Sequence, residues 1–265
     1  MSLDDDLVRR VSAVATDRER GATELAREAL DVLCWATREG GLEFLTRAAD
    51  ALVRARPAMA AIKNVVRRVV EEPTSMASLP GAADACRRAR AWLDEASGMA
   101  VDQAVAAIQP GAVVVTCSFS SAVVRACLRA AGEHRARVIA LESSVAGVAY
   151  GERVAAWLRP RGVACDVVAD RLMADALEGA TLVLVGADRV LAGGSLVNGT
   201  PSLRLAVTAH HHHVPFYAIC EAFKLDEELL VEPGFDLIPA RLVTAYITAY
   251  GVAAPSDVWA AHQRA

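Results

Sequence analysis

Apolar residues along the chain follow two different rhythms. Through about residue 108 they recur at helical spacing, and no segment there runs as a strand does. In ATELAREALDVLCWATREGG, Leu25, Ala29, Val32, Leu33 and Ala36 fall at i, i+3 and i+4, which predicts a helix closed by Gly40 and Gly41. LEFLTRAADALVRARP predicts a second helix running to the break at Pro57, and Ala58 to Val70 a third. Two more are expected over Ala82 to Ser97 and Val101 to Ile108. The first part of the chain therefore reads as a helical bundle.

From Pro110 the rhythm changes to short β-branched runs separated by helical stretches. These are AVVVT (112–116), RVIALE (137–142), CDVVAD (165–170), TLVLVGA (181–187) and PFYAICE (215–221). Continuous apolar strands alternating with helices predict a parallel sheet covered on both faces. The fold class is thus α/β: an N-terminal helical domain (residues 1–109) followed by a Rossmann-like parallel-sheet domain (residues 110–265), divided at the Pro110-Gly111 step. Ligands bind such sheets beyond the carboxyl ends of the strands. Three of those ends carry polar groups: Cys117 to Ser121, Glu142 to Ser144, and Asp188.

Composition narrows the function classes. Hydrophobic residues make up 54% and aromatics 5%, so the apolar bulk is Ala, Val and Leu, which suits helices and buried parallel strands. The 28 basic and 32 acidic residues leave a net charge of −4, too balanced for a broad cationic face; direct nucleic-acid binding is not expected, and any anion must meet a local pocket. Mean hydropathy is +0.29, yet no stretch approaches the roughly 18 apolar residues of a spanning helix. The opening MSLDDDLVRR lacks a secretory pattern, so a soluble, cytoplasmic protein is expected, with no membrane partner. Cys34, Cys86, Cys117, Cys127, Cys165 and Cys220 show no CxxC spacing, so neither a zinc site nor a disulfide framework is expected and the thiols read as reduced and mostly buried.

The segment TLVLVGADRVLAGGSLVNGTPSLRL is the richest in candidate chemistry. A buried strand leads into Gly186-Ala187-Asp188, beside a glycine-rich turn (Gly193, Gly194), Asn198, and a helix expected to start near Pro201 or Ser202. A helix N-terminus with free N–H groups and flanking glycine favours an anion. On spacing alone, Asp188 reads equally well as a loop or cap residue.

GADRVLAGGSLVN, VPFYAICEAFKLD and FDLIPARLVTAYITAYGV resemble motifs of one superfamily, and so do VVVTCSFSSAVVRACL and ARPAMAAIKNVVRRV upstream. That superfamily unites the alpha, beta and delta subunits of eukaryotic initiation factor 2B with methylthioribose-1-phosphate isomerase and ribose-1,5-bisphosphate isomerase. The resemblance covers nearly the whole chain and implies a helical domain, a Rossmann-like domain, and usually a dimer, here a homodimer. Its isomerases convert an aldose 1-phosphate to a ketose 1-phosphate. Phosphate on the anomeric oxygen prevents spontaneous ring opening, so an acid must protonate the ring oxygen while hydrogen leaves C2, with two groups of tuned pKa in a dry pocket. The resemblance assigns those roles to a cysteine after the first sheet strand and to the Asp of the GAD motif.

Asp188 matches the second, and burial would raise its pKa toward a useful acid or base value. At the first, Thr-His-Cys becomes Thr116-Cys117-Ser118, so Ser118 stands where the catalytic thiol does, one residue after Cys117. A serine hydroxyl titrates too high to replace a thiolate without a base, and neighbours in an extended loop point in different directions. By resemblance Arg56, and the Arg20-Gly21-Ala22 run, hold phosphate, as guanidinium forks do well. Read from its surroundings in DRERG, Arg20 instead fits a solvated helix start. Asn198 matches the family's Asn, but the following Lys is Gly199 here and a later Gly is Pro201; loss of that Lys points to a less anionic ligand. Glu142 matches an acidic residue after a strand, and Asp170 is placed to orient polar groups. His210 to His213 read as an exposed helix end and Lys224 as a solvated loop residue.

Two functions follow. The first is an isomerase-type site for a phosphorylated pentose, with Asp188 as acid/base, Ser118 or Cys117 in the place of the thiol, Arg56 and Arg20 on phosphate, and Asn198 on hydroxyls. The second is a non-catalytic regulatory subunit of initiation factor 2B type, its pocket holding a sugar phosphate or nucleotide effector. Neither calls for a cofactor or metal.

Overall fold

A computed structural model describes residues 2–72 and 74–263. The chain opens with α1 (Leu3–Thr16), which no expectation covered, capped by Ser2: its hydroxyl accepts from Asp5 N–H at 3.1 Å and its own N–H donates to the Asp5 carboxylate at 3.0 Å. Next comes α2 (Ala22–Ala55), where the expected break between two helices is a sharp kink at Gly41, with φ 75° in the region that favours glycine. The third helix, α3 (Ala60–Val70), starts two residues later than predicted.

The two further helices predicted for residues 82–108 are one, α4 (Leu79–Ala107). Gly98 does not interrupt it: its φ is ordinary and no neighbour crowds it, so it costs only its intrinsic ~1 kcal/mol. Through Ala96, α4 packs in the helical core with α2 and α3; from Ala100 its buried face belongs to a core beneath the sheet.

The strands and helices that follow are β1 (Val113–Thr116), α5 (Ser121–His134), β2 (Arg137–Leu141), the short hairpin β3 (Ser144–Val145) and β4 (Val148–Ala149), α6 (Tyr150–Leu158), β5 (Cys165–Val168), α7 (Met173–Leu177) and β6 (Leu182–Val185). The chain continues through β7 (Arg189–Val190), β8 (Leu196–Gly199), α8 (Ser202–His211), β9 (Phe216–Ile219), β10 (Phe235–Ile238), β11 (Ala245–Thr248), β12 (Gly251–Ala253) and α9 (Val258–Gln263). All five predicted strands form, and β11 and β12 extend their sheet to the order β12-β11-β9-β6-β1-β2-β5. Every pairing is parallel except β11 with β12. β1 and β6 are wholly buried, as their unbroken apolar runs require.

The chain steps from β1 to β2 on one side, while β6 pairs β1 on the other, so the strand order reverses between β1 and β6. A crevice opens beyond the carboxyl ends at such a switch point. Residues 117–121 and 186–188 lie there. A second antiparallel sheet, β10-β8-β7, brings Asn198 opposite Asp236 and Gly199 opposite Phe235 across it.

Candidate functional site

The end of β6 is built for close approach. A Cβ on Gly186 would lie 2.6 Å from the Cβ and Oγ of Ser120, the N-cap of α5, so the absence of a side chain lets the β1–α5 loop close onto the strand end. Asp188 follows, its N–H donating to Val197 O and its carbonyl accepting from Ala60 N–H, both at 3.0 Å. The start of α3 thus holds Asp188 from the helical side. In the orientation that satisfies both ends of its amide, Asn198 donates to Gly186 O and Asp188 Oδ2, each at 3.2 Å, while its oxygen accepts from the Ser202 hydroxyl at 2.7 Å.

Asp188 is 8% exposed. Burial raises its pKa to about 6, against the pull of Lys224, Arg56 and a Gly199 N–H, and with a push from Glu232. It faces a half-enclosed cavity. Arg18, Arg20 and Gly21 line it from the α1–α2 connection, Arg56 and Met59 from the α2–α3 turn, Ser118 and Phe119 from the end of β1, and Gly199, Thr200 and Gly234 from the second sheet.

Of the residues singled out in the sequence, the structure brings Asp188, Ser118, Arg20, Gly21, Arg56 and Gly199 to this one cavity. Ser118 has φ 59° and its N–H donates to Ser143 Oγ at 3.0 Å; Asp170 holds that serine in turn by accepting from Ser143 N–H at 2.9 Å. The missing side chain at Gly199 makes the room, because a Cβ there would stand 2.5 Å from Ser118 Oγ. Arg56 is 4% exposed, donates to Asp17 O at 2.6 Å, and has Nε 3.6 Å from Glu232 Oε2. That leaves its buried Nε without a hydrogen-bond partner among the described residues. Arg20 is a half-buried wall of the cavity rather than the solvated helix start its surroundings suggested, with ion pairs to Asp17 at 2.9 Å and Glu28 at 3.0 Å.

Cys117 is not brought there. It is buried, its Sγ lies 3.2 Å from Ser202 Oγ, and burial pushes its thiol up to about 12. The register that gives Ser118 to the cavity turns Cys117 into the core, since successive residues leave a strand on opposite faces. Glu142 also stays outside the lining and accepts from Ser144 Oγ at 3.0 Å. Ala22 and Asn198 flank a small void behind Asp188, which Lys224 closes. Lys224 is a correction: it is 2% exposed and pairs at 2.9 Å with the fully buried Glu221, because a short 3-10 turn folds it inward over the sheet. His210 to His213 are exposed, with α8 ending at His211.

Sequence reasoning missed Arg18, Tyr150 and Glu232. Tyr150 donates its hydroxyl to Arg18 O at 2.6 Å, and Glu232 accepts from Ala58 N–H at 2.7 Å. Their only signal was charge or polarity, in segments far apart along the chain that tertiary structure gathers together. Among the described residues no group of three or more His, Cys, Asp or Glu is arranged to hold a metal ion, and no helix is long and apolar enough to cross a membrane. Three arginines lining a cavity that holds one carboxyl titrating near neutrality suit a phosphorylated ligand whose uncharged part meets a proton donor or acceptor.

Comparison with known proteins agrees with this architecture. The family model described as "Initiation factor 2 subunit family" matches residues 17–232. A putative translation initiation factor eIF-2B subunit 2-like protein of Pyrococcus abyssi is 29% identical over 96% of this chain and 98% of its own. A methylthioribose-1-phosphate isomerase of Gemmatimonas aurantiaca is 28% identical over 92% of this chain and 84% of its own. Among solved structures, the translation initiation factor eIF-2B of Pyrococcus horikoshii superposes with a TM-score of 0.86 at 23% identity, over 95% of this chain and 98% of that one.

Proposed function

Because the chain belongs to the initiation factor 2 subunit family, we propose that its cavity binds a phosphorylated pentose and acts as an aldose-1-phosphate to ketose-1-phosphate isomerase-type site. The observation that carries this reading is a buried Asp188 carboxyl with pKa about 6 in a cavity walled by Arg18, Arg20 and Arg56. Relatives of both kinds, a methylthioribose-1-phosphate isomerase and an initiation factor subunit, support it at the level of the family.

On this reading Arg56 and Arg20 hold phosphate, with the start of α2 at Gly21-Ala22 adding its dipole. Asp188 in its neutral form delivers a proton toward the ring oxygen, and in its ionised form accepts one from C2. Asn198 keeps the carboxyl oriented through Oδ2. Ser118, its backbone N–H held by Ser143 and that serine by Asp170, positions a sugar oxygen through its hydroxyl and does not act as a nucleophile, because a serine hydroxyl titrates too high to replace a thiolate. Neither Cys117 nor Glu142 has a part. The reading retains a helical domain over residues 1–109, a Rossmann-like domain over residues 110–265, a homodimer, and a cytoplasmic setting.

A second reading, a non-catalytic subunit holding a sugar phosphate or nucleotide effector, is favoured by one observation: no thiol reaches the cavity, with Ser118 in it and Cys117 sealed beneath. The test is incubation with ribose 1-phosphate, ribose 1,5-bisphosphate and methylthioribose 1-phosphate, following ketose formation by NMR beside Asp188→Asn. Ketose formed by the native chain and lost in the variant supports the isomerase. Binding of a sugar phosphate without ketose supports the effector site, and no binding of any of the three overturns both.

A further inference from the structure

Helices α2 and α4 pack side by side, and their ion pairs fix the register. Arg27 pairs with Asp94 at 2.8 Å and Asp31 with Arg90. Each step forward on α2 is therefore matched by an equal step back on α4, and Gly41, facing Leu79, continues the series. One turn beyond the Asp31–Arg90 pair this register sets Cys34 opposite Cys86. The two thiols interact, each perturbing the other's ionisation.

The pair is asymmetric. Of the six cysteines, all within the described residues, five are buried and Cys34 is half-buried. The Cys86 thiol and then Arg90 and Arg38 hold Cys34 below its ordinary value, outweighing burial and Asp31, whereas contact with Cys34 and then burial push Cys86 up. Cys127 and Cys165, which also feel one another or their surroundings in the core, are instead raised by burial to about 12 and about 11. A half-buried thiol with a depressed pKa beside a buried partner has the layout of an attacking and a resolving cysteine.

We propose that Cys34 and Cys86 form a dithiol site which a hydroperoxide closes into a disulfide between α2 and α4. The Cys34 thiolate attacks one peroxide oxygen; the O–O bond breaks, hydroxide leaves and is protonated to water (or the alcohol leaves, for an organic hydroperoxide), and Cys34 becomes a sulfenic acid. The Cys86 sulfur then attacks the Cys34 sulfur, the S–O bond breaks, and the departing hydroxide takes the Cys86 proton as water. Two thiols are oxidised by two electrons in total, and one peroxide is reduced. This inference is independent of what the sugar-phosphate cavity does.

The test uses the full reduced chain treated with hydrogen peroxide, free thiols then blocked with N-ethylmaleimide, and non-reducing peptide mapping. The expected result is a cross-linked peptide pair carrying Cys34 and Cys86, released by dithiothreitol, lost in Cys34→Ser and in Cys86→Ser. In Cys86→Ser, Cys34 is expected to accumulate as a sulfenic acid trapped by dimedone. The wild-type map is decisive even where the buried Cys86→Ser change impairs folding. Blocked, uncrosslinked Cys34 and Cys86 after peroxide, or Cys34 carried to sulfinic acid with Cys86 still free, overturns the proposal.

Discussion

Asp188 makes the protein's stability depend on pH in a direction opposite to that of most carboxylates. Its pKa is about 6 in the fold against an ordinary 3.8, so below pH 3.8 folded and unfolded states bind the same proton and folding is not penalised. As the pH rises from 3.8 through about 6, the unfolded chain releases that proton while the fold retains it, and stability is lost up to a plateau of about 3 kcal/mol. Asp188→Asn removes the penalty; its unfolding free energy in urea is expected above wild type at pH 7.5, by up to about 3 kcal/mol, and level with it near pH 3.5. Lys224 holds the same carboxyl down from behind. Lys224→Met with Glu221→Gln, which removes the buried pair together, is expected to move the Asp188 limb of a pH–rate profile to higher pH, whereas a merely structural pair would leave the limb in place. Asp188, Arg56 and Asn198 were legible because each sits in a motif at a strand or helix end. Lys224 was misread because its burial depends on a 3-10 turn with no sequence signature, and Arg18, Tyr150 and Glu232 were missed because three regions distant in sequence bring them together.

The elements hold the site through a few contacts too close for a side chain. Gly151, at the start of α6, would place a Cβ 2.2 Å from Leu141 O at the end of β2, where Gly151 N–H already donates to Glu142 O at 3.0 Å. Gly151→Ala must push α6 off the sheet; a loss of about 1–3 kcal/mol in urea unfolding is expected, and an unchanged midpoint would show that the helix yields freely. The five strands of the first reading were legible because unbroken apolar runs flanked by helices leave little else for them to be. β11 and β12 were not, because LVTAYITAYGV carries a short apolar run whose period does not separate strand from helix. Likewise the gap expected between Ser97 and Val101 is continuous helix in α4, since Gly98 within it lowers helix propensity by less than the packing of a 29-residue helix returns.

Across the whole molecule, one helix and a handful of side chains couple the helical and sheet parts. α4 contributes to both cores, Phe223 leaves the sheet part to pack in the helical core against Trp92 with ring centroids 5.7 Å apart, and the buried Arg189 donates to Pro57 O at 2.5 Å and faces Asp226 at 3.4 Å. Phe223→Ala empties a site in the helical core; a loss of about 3–5 kcal/mol and a single shared unfolding transition by helical and tryptophan signals are expected, while two separated transitions would show the parts to be uncoupled. That coupling matters because the cavity is walled from both parts at once, Arg20 and Arg56 from one and Asp188, Ser118 and Gly199 from the other. The central claim, a buried proton-handling carboxyl in a sugar-phosphate cavity, is tested most directly by a carbon-13 carboxyl titration of Asp188, assigned by its loss in Asp188→Asn and repeated with ribose 1,5-bisphosphate. The account predicts a midpoint near 6 that the sugar phosphate displaces; a midpoint at the ordinary 3.8, unmoved by the ligand, would contradict it.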